Sequence, residues 1–131
     1  MELDGVVIDC IDPIALADFY CRLLNWKRWE QKGDEVSVIQ SPKTGIKLLF
    51  QKNEYYVPPV WPEEAHTQGQ QEHLDFIVQD QTELKEAVSH AVRCGARIAD
   101  AQYGHNEEKN TDKWITLIDP EGHPFCFVIW W

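Results

Sequence analysis

Positive charge is scarce in this sequence. Its 131 residues include 12 Lys and Arg against 22 Asp and Glu, which gives a formal net charge of −10. Nucleic acids and anionic membrane surfaces attract proteins mainly through Lys and Arg, so neither is an expected partner. The negative charge is compatible with a cationic ligand, although an acidic surface also serves solubility alone.

Long hydrophobic runs and paired cysteines are missing as well. No apolar stretch approaches the roughly 18 residues of a membrane-spanning helix, and the first residues, MELDGVV, do not resemble a secretory signal. The four cysteines form no CxxC pair, which argues against a zinc knuckle or a thioredoxin-like motif. We therefore expect free thiols in a reducing cytoplasm.

The first half of the chain, about residues 3–52, predicts one helix and four strands. Asp12 and Pro13 are typical of a helix start, and apolar residues recur at helical spacing as far as residue 25. The strands are predicted at residues 3–11, 27–31, 35–40 and 46–52. Residues 53–71, which contain three prolines and show no periodicity, predict a linker or lid.

The second half, about residues 72–131, repeats this order. Asp80 and Glu83 form a capping box before an apolar helical stripe, and Gly95 follows as a stop signal. Strands are predicted at residues 73–79, 96–99, 114–118 and 123–131, with a polar loop at 100–112. The sequence therefore predicts an α+β protein made of two tandem β-α-β-β-β modules.

Local strings add a resemblance to a known superfamily. They are Asp18-Phe19-Tyr20 with Leu23-Leu24, then Glu72-His73-Leu74-Asp75-Phe76, and finally Asp119-Pro120-Glu121-Gly122-His123-Pro124-Phe125. With the duplicated module, they resemble the glyoxalase/bleomycin-resistance/dioxygenase superfamily, also called vicinal oxygen chelate proteins, and within it the glyoxalase-like subgroup. The resemblance covers nearly the whole chain and implies a single domain over residues 1–131, with curled mixed sheets around a cavity.

The resemblance also implies where a metal would bind. Metal-dependent members hold a divalent ion with up to four side chains, one from the first and one from the last strand of each module. Aligning the helix caps places Gly5 on His73, and aligning the final turns places Leu49 on Cys126. Because glycine and leucine cannot ligate, we expect the usual metal site to be absent and predict no cofactor. The alternative is a divalent metal anchored by His73, the one retained ligand of the usual kind, together with Asp75 or a residue of a partner chain.

Strand alternation predicts the side chains that face the cavity. A few polar groups in an apolar concavity are typical of a small-molecule site. The predicted ligand-binding residues are Asp9, Lys47, Gln51, His73, Asp75 and Cys126. Structural roles stay open for some of them, since His73 could bond a neighbour and either Asp9 or Asp75 could pair with Lys47. His123, in a turn, is predicted to lie at the surface.

Three functions fit these features. Our prediction is a metal-free protein that binds or sequesters a drug or metabolite, with a cationic ligand favoured by the charge. The alternative is a lyase, isomerase or dioxygenase for a small oxygenated substrate, with His73 as metal ligand or general base. A non-catalytic interaction module that has lost its ligand is the third. The C-terminal string Val128-Ile129-Trp130-Trp131 predicts a homodimer, because two large aromatic residues are costly to leave in water.

Overall fold

The computed structural model describes residues 1–130, which form two compact units. The first unit ends at residue 56 and the second begins at residue 57. The first unit contains one helix and four strands, which are β1 (Gly5–Cys10), α1 (Pro13–Leu24), β2 (Lys27–Lys32), β3 (Val36–Gln40) and β4 (Lys47–Lys52). Its strands form one sheet in the order β1-β4-β3-β2. β1 and β4 are parallel and the other neighbours are antiparallel, so the sheet is mixed.

The core of the first unit lies between α1 and one face of this sheet. The buried side of α1 includes Leu16, Phe19 and Tyr20, and the Tyr20 ring stacks on Phe50 of β4 with centroids 5.3 Å apart. Each such apolar side chain stabilises the fold by about 1.5–3 kcal/mol when it is buried. The opposite face of the sheet points away from α1.

The second unit repeats the plan with one addition. Its elements are β5 (Leu74–Ile77), α2 (Gln81–Cys94), β6 (Arg97–Ile98), β7 (His105–Asn106), β8 (Thr111–Asp112), β9 (Trp114–Ile118) and β10 (Pro124–Val128). The main sheet has the order β5-β10-β9-β6, with β5 and β10 parallel and the other neighbours antiparallel. This matches the first sheet strand for strand, so the predicted α+β class and the two β-α-β-β-β modules are confirmed.

The helix caps correspond as the sequence predicts. The Asp12 carboxylate accepts a hydrogen bond from the backbone N–H of Ala15 at 3.1 Å, and the Asp80 carboxylate accepts one from Glu83 at 2.8 Å. Gly95 ends α2 with a φ of 119°, a left-handed conformation that glycine adopts without strain. Each helix therefore starts directly after its capping aspartate.

Several predicted boundaries need correction. β5 begins at Leu74, so His73 lies just before the strand, and β10 ends at Val128 instead of running on to residue 131. The polar loop predicted at residues 100–112 contains the short antiparallel pair β7–β8. The reason is local, because the Asn106 side chain accepts a hydrogen bond from Lys109 N–H and so closes a turn that composition alone does not reveal.

Within the described residues, neither helix has the length and apolarity needed to cross a lipid bilayer. At the C-terminal end, Val128 is buried and Trp130 is 53% exposed. Trp131, the second aromatic residue behind the homodimer prediction, lies outside the described residues. The homodimer stays a prediction.

Candidate functional site

In the second unit, polar side chains gather on the sheet face that points away from the aromatic core. Phe125 and Phe127 of β10 both pack against Phe76 of β5, with ring centroids 6.1 and 6.2 Å apart. Because side chains alternate along a strand, Cys126 and Asp75 point to the opposite face. The parallel pairing of β5 and β10 sets them side by side, as direct register partners.

His73, Asp75 and Cys126 form a three-residue cluster on that face. One ligand atom from each, the imidazole nitrogen, the carboxylate oxygen and the thiol sulfur, lies within 4.8 Å of the other two. His73 Nε2 is 3.3 Å from Asp75 Oδ1, and these side chains are 39% and 35% exposed. Cys126 is buried. The cluster thus has a buried sulfur at its base and two groups that solvent can reach.

The surroundings of Cys126 favour its protonated form. Burial raises the pKa of the Cys126 thiol, and the nearby negative charge of Asp75 acts in the same direction. The hydroxyl of Thr116, 3.3 Å from the sulfur, opposes the rise in pKa because it can donate to a thiolate. A cation bound in the cluster would compensate the charge of the thiolate, which is the form that ligates metals.

The donor set of the cluster fits a divalent transition metal. Two ligands bound about 2.0–2.2 Å from a tetrahedral ion lie roughly 3.3–3.6 Å apart, and the 3.3 Å between His73 and Asp75 agrees with this. Three protein ligands with one open position are the usual make-up of a catalytic zinc site. His73, Asp75 and Cys126 are therefore the residues that would hold an ion.

The first unit does not carry an equivalent cluster at the matching positions. β1 and β4 pair in the corresponding register, and Val7 stands beside Leu49 where the second unit has Asp75 beside Cys126. The structure thus supports the alignment that placed Leu49 on Cys126. Gly5, aligned with His73, could not gain a side chain easily, since a Cβ there would lie 2.4 Å from the carbonyl oxygen of Lys47.

Two other groups of predicted site residues lie in the first unit. The Asp9 carboxylate accepts hydrogen bonds from Gln51 Nε2 at 2.7 Å and from Asn53 Nδ2 at 2.9 Å. Lys47 Nζ is 2.9 Å from the carboxylate of Asp4, so its ion pair is with a residue that the sequence analysis did not consider. The predicted convergence of all six residues on one cavity stays a prediction.

A groove of about 430 Å³ opens on the first sheet beside Lys47. Trp29, which the sequence analysis also missed, forms part of its lining, and the ammonium of Lys47 lies 4.5 Å from the centroid of the Trp29 ring. The sequence did contain a signal for Trp29, because it is a large aromatic residue in the otherwise polar strand KRWEQK. A large aromatic side chain usually packs or binds something, and the predicted core gave Trp29 no packing role.

His123 is more closely held than its predicted surface position suggests. Its ring Nδ1 lies 2.8 Å from the carboxylate of Asp119, whose side chain is fully buried, and the His123 side chain is only 19% exposed. Asp119 also accepts hydrogen bonds from the backbone N–H groups of Glu121 and His123, at 2.9 and 3.0 Å. The pair fixes the turn that leads into β10.

Comparison with known proteins agrees with this architecture. The sequence profile of the glyoxalase-like domain matches residues 5–128, so the chain belongs to the glyoxalase-like domain family. No curated protein matches the chain.

Solved structures of low sequence identity share the fold. A glyoxalase/bleomycin resistance protein/dioxygenase family enzyme from Burkholderia phytofirmans is 20% identical with a TM-score of 0.71, covering 97% of both chains. Protein ATC0852 from Agrobacterium tumefaciens is 21% identical with a TM-score of 0.69, covering 98% of this chain and 97% of that one.

A third similar structure contains a metal. It is a variant of the genomically encoded fosfomycin resistance protein FosX from Listeria monocytogenes, complexed with Mn(II) and 1S,2S-dihydroxypropylphosphonic acid. It is 14% identical with a TM-score of 0.65, covering 97% of this chain and 88% of that one. At sequence identities between 14% and 21%, the likeness to these structures shows the fold alone.

Proposed function

We propose that this protein binds a divalent transition-metal ion through His73, Asp75 and Cys126 and uses the site to hold a small oxygenated ligand. The observation that carries the proposal is the convergence of the three ligand atoms within 4.8 Å of one another. Neither a single histidine nor a single carboxylate would support it. The three together offer an imidazole, a carboxylate and a thiol, and solvent can reach the first two.

The donor types indicate the class of metal. A thiolate and an imidazole suit zinc, cobalt and iron(II) better than magnesium or calcium, which prefer oxygen ligands throughout. The Listeria protein holds its Mn(II) together with a dihydroxypropylphosphonic acid, which supports a metal and an oxygenated molecule as joint occupants of this fold. A bound divalent ion would polarise an oxygen of the ligand as a Lewis acid.

The chain's own groups would serve such a ligand in defined ways. The hydroxyl of Thr116, 3.3 Å from the sulfur, would donate a hydrogen bond to the Cys126 thiolate and thereby hold the sulfur in place. His73 and Asp75, which solvent can reach, would hold the ion where a ligand from solvent has access to it. A lyase, isomerase or dioxygenase reaction is the class of activity that such a site could carry.

Metal-free binding is the second candidate, and a specific observation favours it. The matching positions of the first unit hold Gly5, Val7 and Leu49, so one half of the duplicated set has no ligands. Without a metal, the Cys126 thiol keeps its raised pKa and stays protonated. The exposed Asp75 carboxylate would then favour a cationic small molecule, in keeping with the net charge of −10.

Cobalt titration distinguishes the two candidates. The metal-stripped protein should take up one equivalent of Co²⁺ with a sulfur-to-cobalt absorption band in the near ultraviolet. Cys126→Ser should abolish the band and His73→Ala should weaken uptake, because each removes one ligand. Cys94→Ser, a thiol of the same chain outside the cluster, is the matched control and should leave both unchanged.

A failure to bind cobalt would favour the second candidate, metal-free binding. Wild-type protein that takes up no stoichiometric cobalt or zinc contradicts the metal proposal. Cationic aromatic compounds should then raise the melting temperature of the wild type, and the rise should shrink in Asp75→Asn. If neutral or anionic compounds stabilise the protein more than cationic ones, the cationic-ligand candidate fails as well.

A further inference from the structure

The sheet face of the first unit that points away from α1 is the counterpart of the face that carries the cluster in the second unit, and it has the character of a small-molecule binding surface. Its centre is apolar and includes Val7, Val38 and Leu49 in the wall of the groove. Val7 is 56% exposed, although it sits in the interior of a strand. The groove volume of about 430 Å³ falls in the range of small-molecule pockets, about 300–1,000 Å³.

Trp29 reaches this groove because of an irregularity in β2. The pairing of β2 with β3 shifts between Arg28 and Glu30, and Trp29 is the extra residue of that bulge. The Arg28 side chain bonds Ser37, a fully buried residue, whereas Trp29 and Glu30 both line the groove. The bulge therefore brings two successive side chains to the groove, which regular alternation would prevent.

The indole of Trp29 extends across β3 to meet Lys47 on β4. The Lys47 ammonium lies 4.5 Å from the ring centroid and 2.9 Å from the Asp4 carboxylate. The Lys47 side chain is 21% exposed, whereas Asp4 is 82% exposed. An ion pair whose acid is so exposed stabilises little, so another carboxylate could replace Asp4 on the same ammonium.

We infer that this groove binds a planar aromatic carboxylate. The ring would lie against Trp29 and the apolar floor of Val7 and Leu49, and its carboxylate would accept a hydrogen bond from Lys47 in place of Asp4. An aromatic cation is disfavoured, because Lys47 already supplies the cation next to the indole and already pairs with the nearby acid. The observations behind this inference all come from the first unit, and none of them involves the metal cluster.

The test uses 2-naphthoate as the probe, titrated by calorimetry into EDTA-treated protein. The expected result is saturable binding of one equivalent, with 2-naphthylmethylammonium binding at least tenfold more weakly. Trp29→Ala should weaken naphthoate binding at least tenfold, and Trp29→Phe should restore part of it because a ring remains. Lys47→Met should weaken binding about fivefold or more through loss of the charged donor, and Asp4→Asn should leave it equal or tighter.

A control variant and the removal of metal keep the result specific. Lys52→Met removes a lysine of the same strand, β4, whose ammonium pairs with Asp34 instead, and should not change the affinity. The EDTA treatment removes any bound metal before the titration, so failure of the metal proposal leaves this test intact.

Four outcomes would overturn the inference. The first three are no saturable naphthoate binding, equal affinity in Trp29→Ala, and tighter binding of the ammonium probe. Loss of self-association in Trp29→Ala by sedimentation, without naphthoate binding in the wild type, would assign the face to a second copy of the chain and equally overturn the inference.

Discussion

Replacing Asp119 by Ala should cost far more stability than its position in a surface turn suggests. The carboxylate is fully buried and accepts two backbone N–H groups and the ring of His123, all within 3.0 Å. Hydrogen bonds to a charged group contribute about 1.5–3 kcal/mol each, but they are not additive. Asp119→Ala leaves these three donors without their acceptor, so we expect it to cost about 3–5 kcal/mol.

Urea denaturation at constant m-value is the direct assay, because a change in midpoint alone then reports stability. The melting temperature should fall by roughly 10–20 °C for a chain of this size. Asp119→Asn, which keeps an acceptor oxygen for the backbone, should lose about half as much. An Asp119→Ala variant within about 1 kcal/mol of the wild type would refute the reasoning, since surface substitutions seldom exceed that loss.

Three further predictions concern the caps, the close strands and the buried thiol. Asp12→Ala and Asp80→Ala should each cost about 1 kcal/mol in denaturant unfolding, because they remove equivalent helix caps; a much larger loss at one would contradict the equivalence of the modules. Gly5→Ala should cost about 1–3 kcal/mol, because the new Cβ would lie 2.4 Å from the Lys47 carbonyl oxygen; unchanged unfolding would rule out that clash. The raised pKa of Cys126 means that, as pH rises above the ordinary thiol value of 9.0, the unfolded state loses its proton first and stability falls. Cys126→Ser should lack that part of the stability loss when the free energy of unfolding is compared at pH 8 and pH 10. Identical pH profiles for the wild type and Cys126→Ser would contradict this prediction.

The fold could be predicted from the sequence because its signals are local. Asp12 and Asp80 act within three residues of themselves, and each cap fixes the start of a helix regardless of what packs on it. The order of strands then follows from repeated alternation and turns. Predicted strand ends were less accurate, because pairing partners and not composition decide where β5 and β10 end.

The candidate cluster depends on pairing between residues that are distant in the sequence. Alternation predicted that Asp75 shares a face with His73, and Asp75 was one of two possible partners for His73 at a metal, but neither argument placed Asp75 beside Cys126. Its place beside Cys126 follows from the β5–β10 register, which joins residues about 50 positions apart and cannot be read from either string alone. Trp29 was missed for a related reason, since a bulge interrupts the alternation on which the prediction relied.

The bulged strand has a consequence for how the protein behaves at high concentration. β2 is one of the two outer strands of the first sheet, and outer strands can recruit further chains into a growing sheet. Lys27, Arg28 and Lys32 place three of the chain's 12 basic residues on this one strand. Like charges and an irregular backbone both discourage edge-to-edge pairing. The segment that brings Trp29 to the groove is therefore also a barrier against aggregation at that edge.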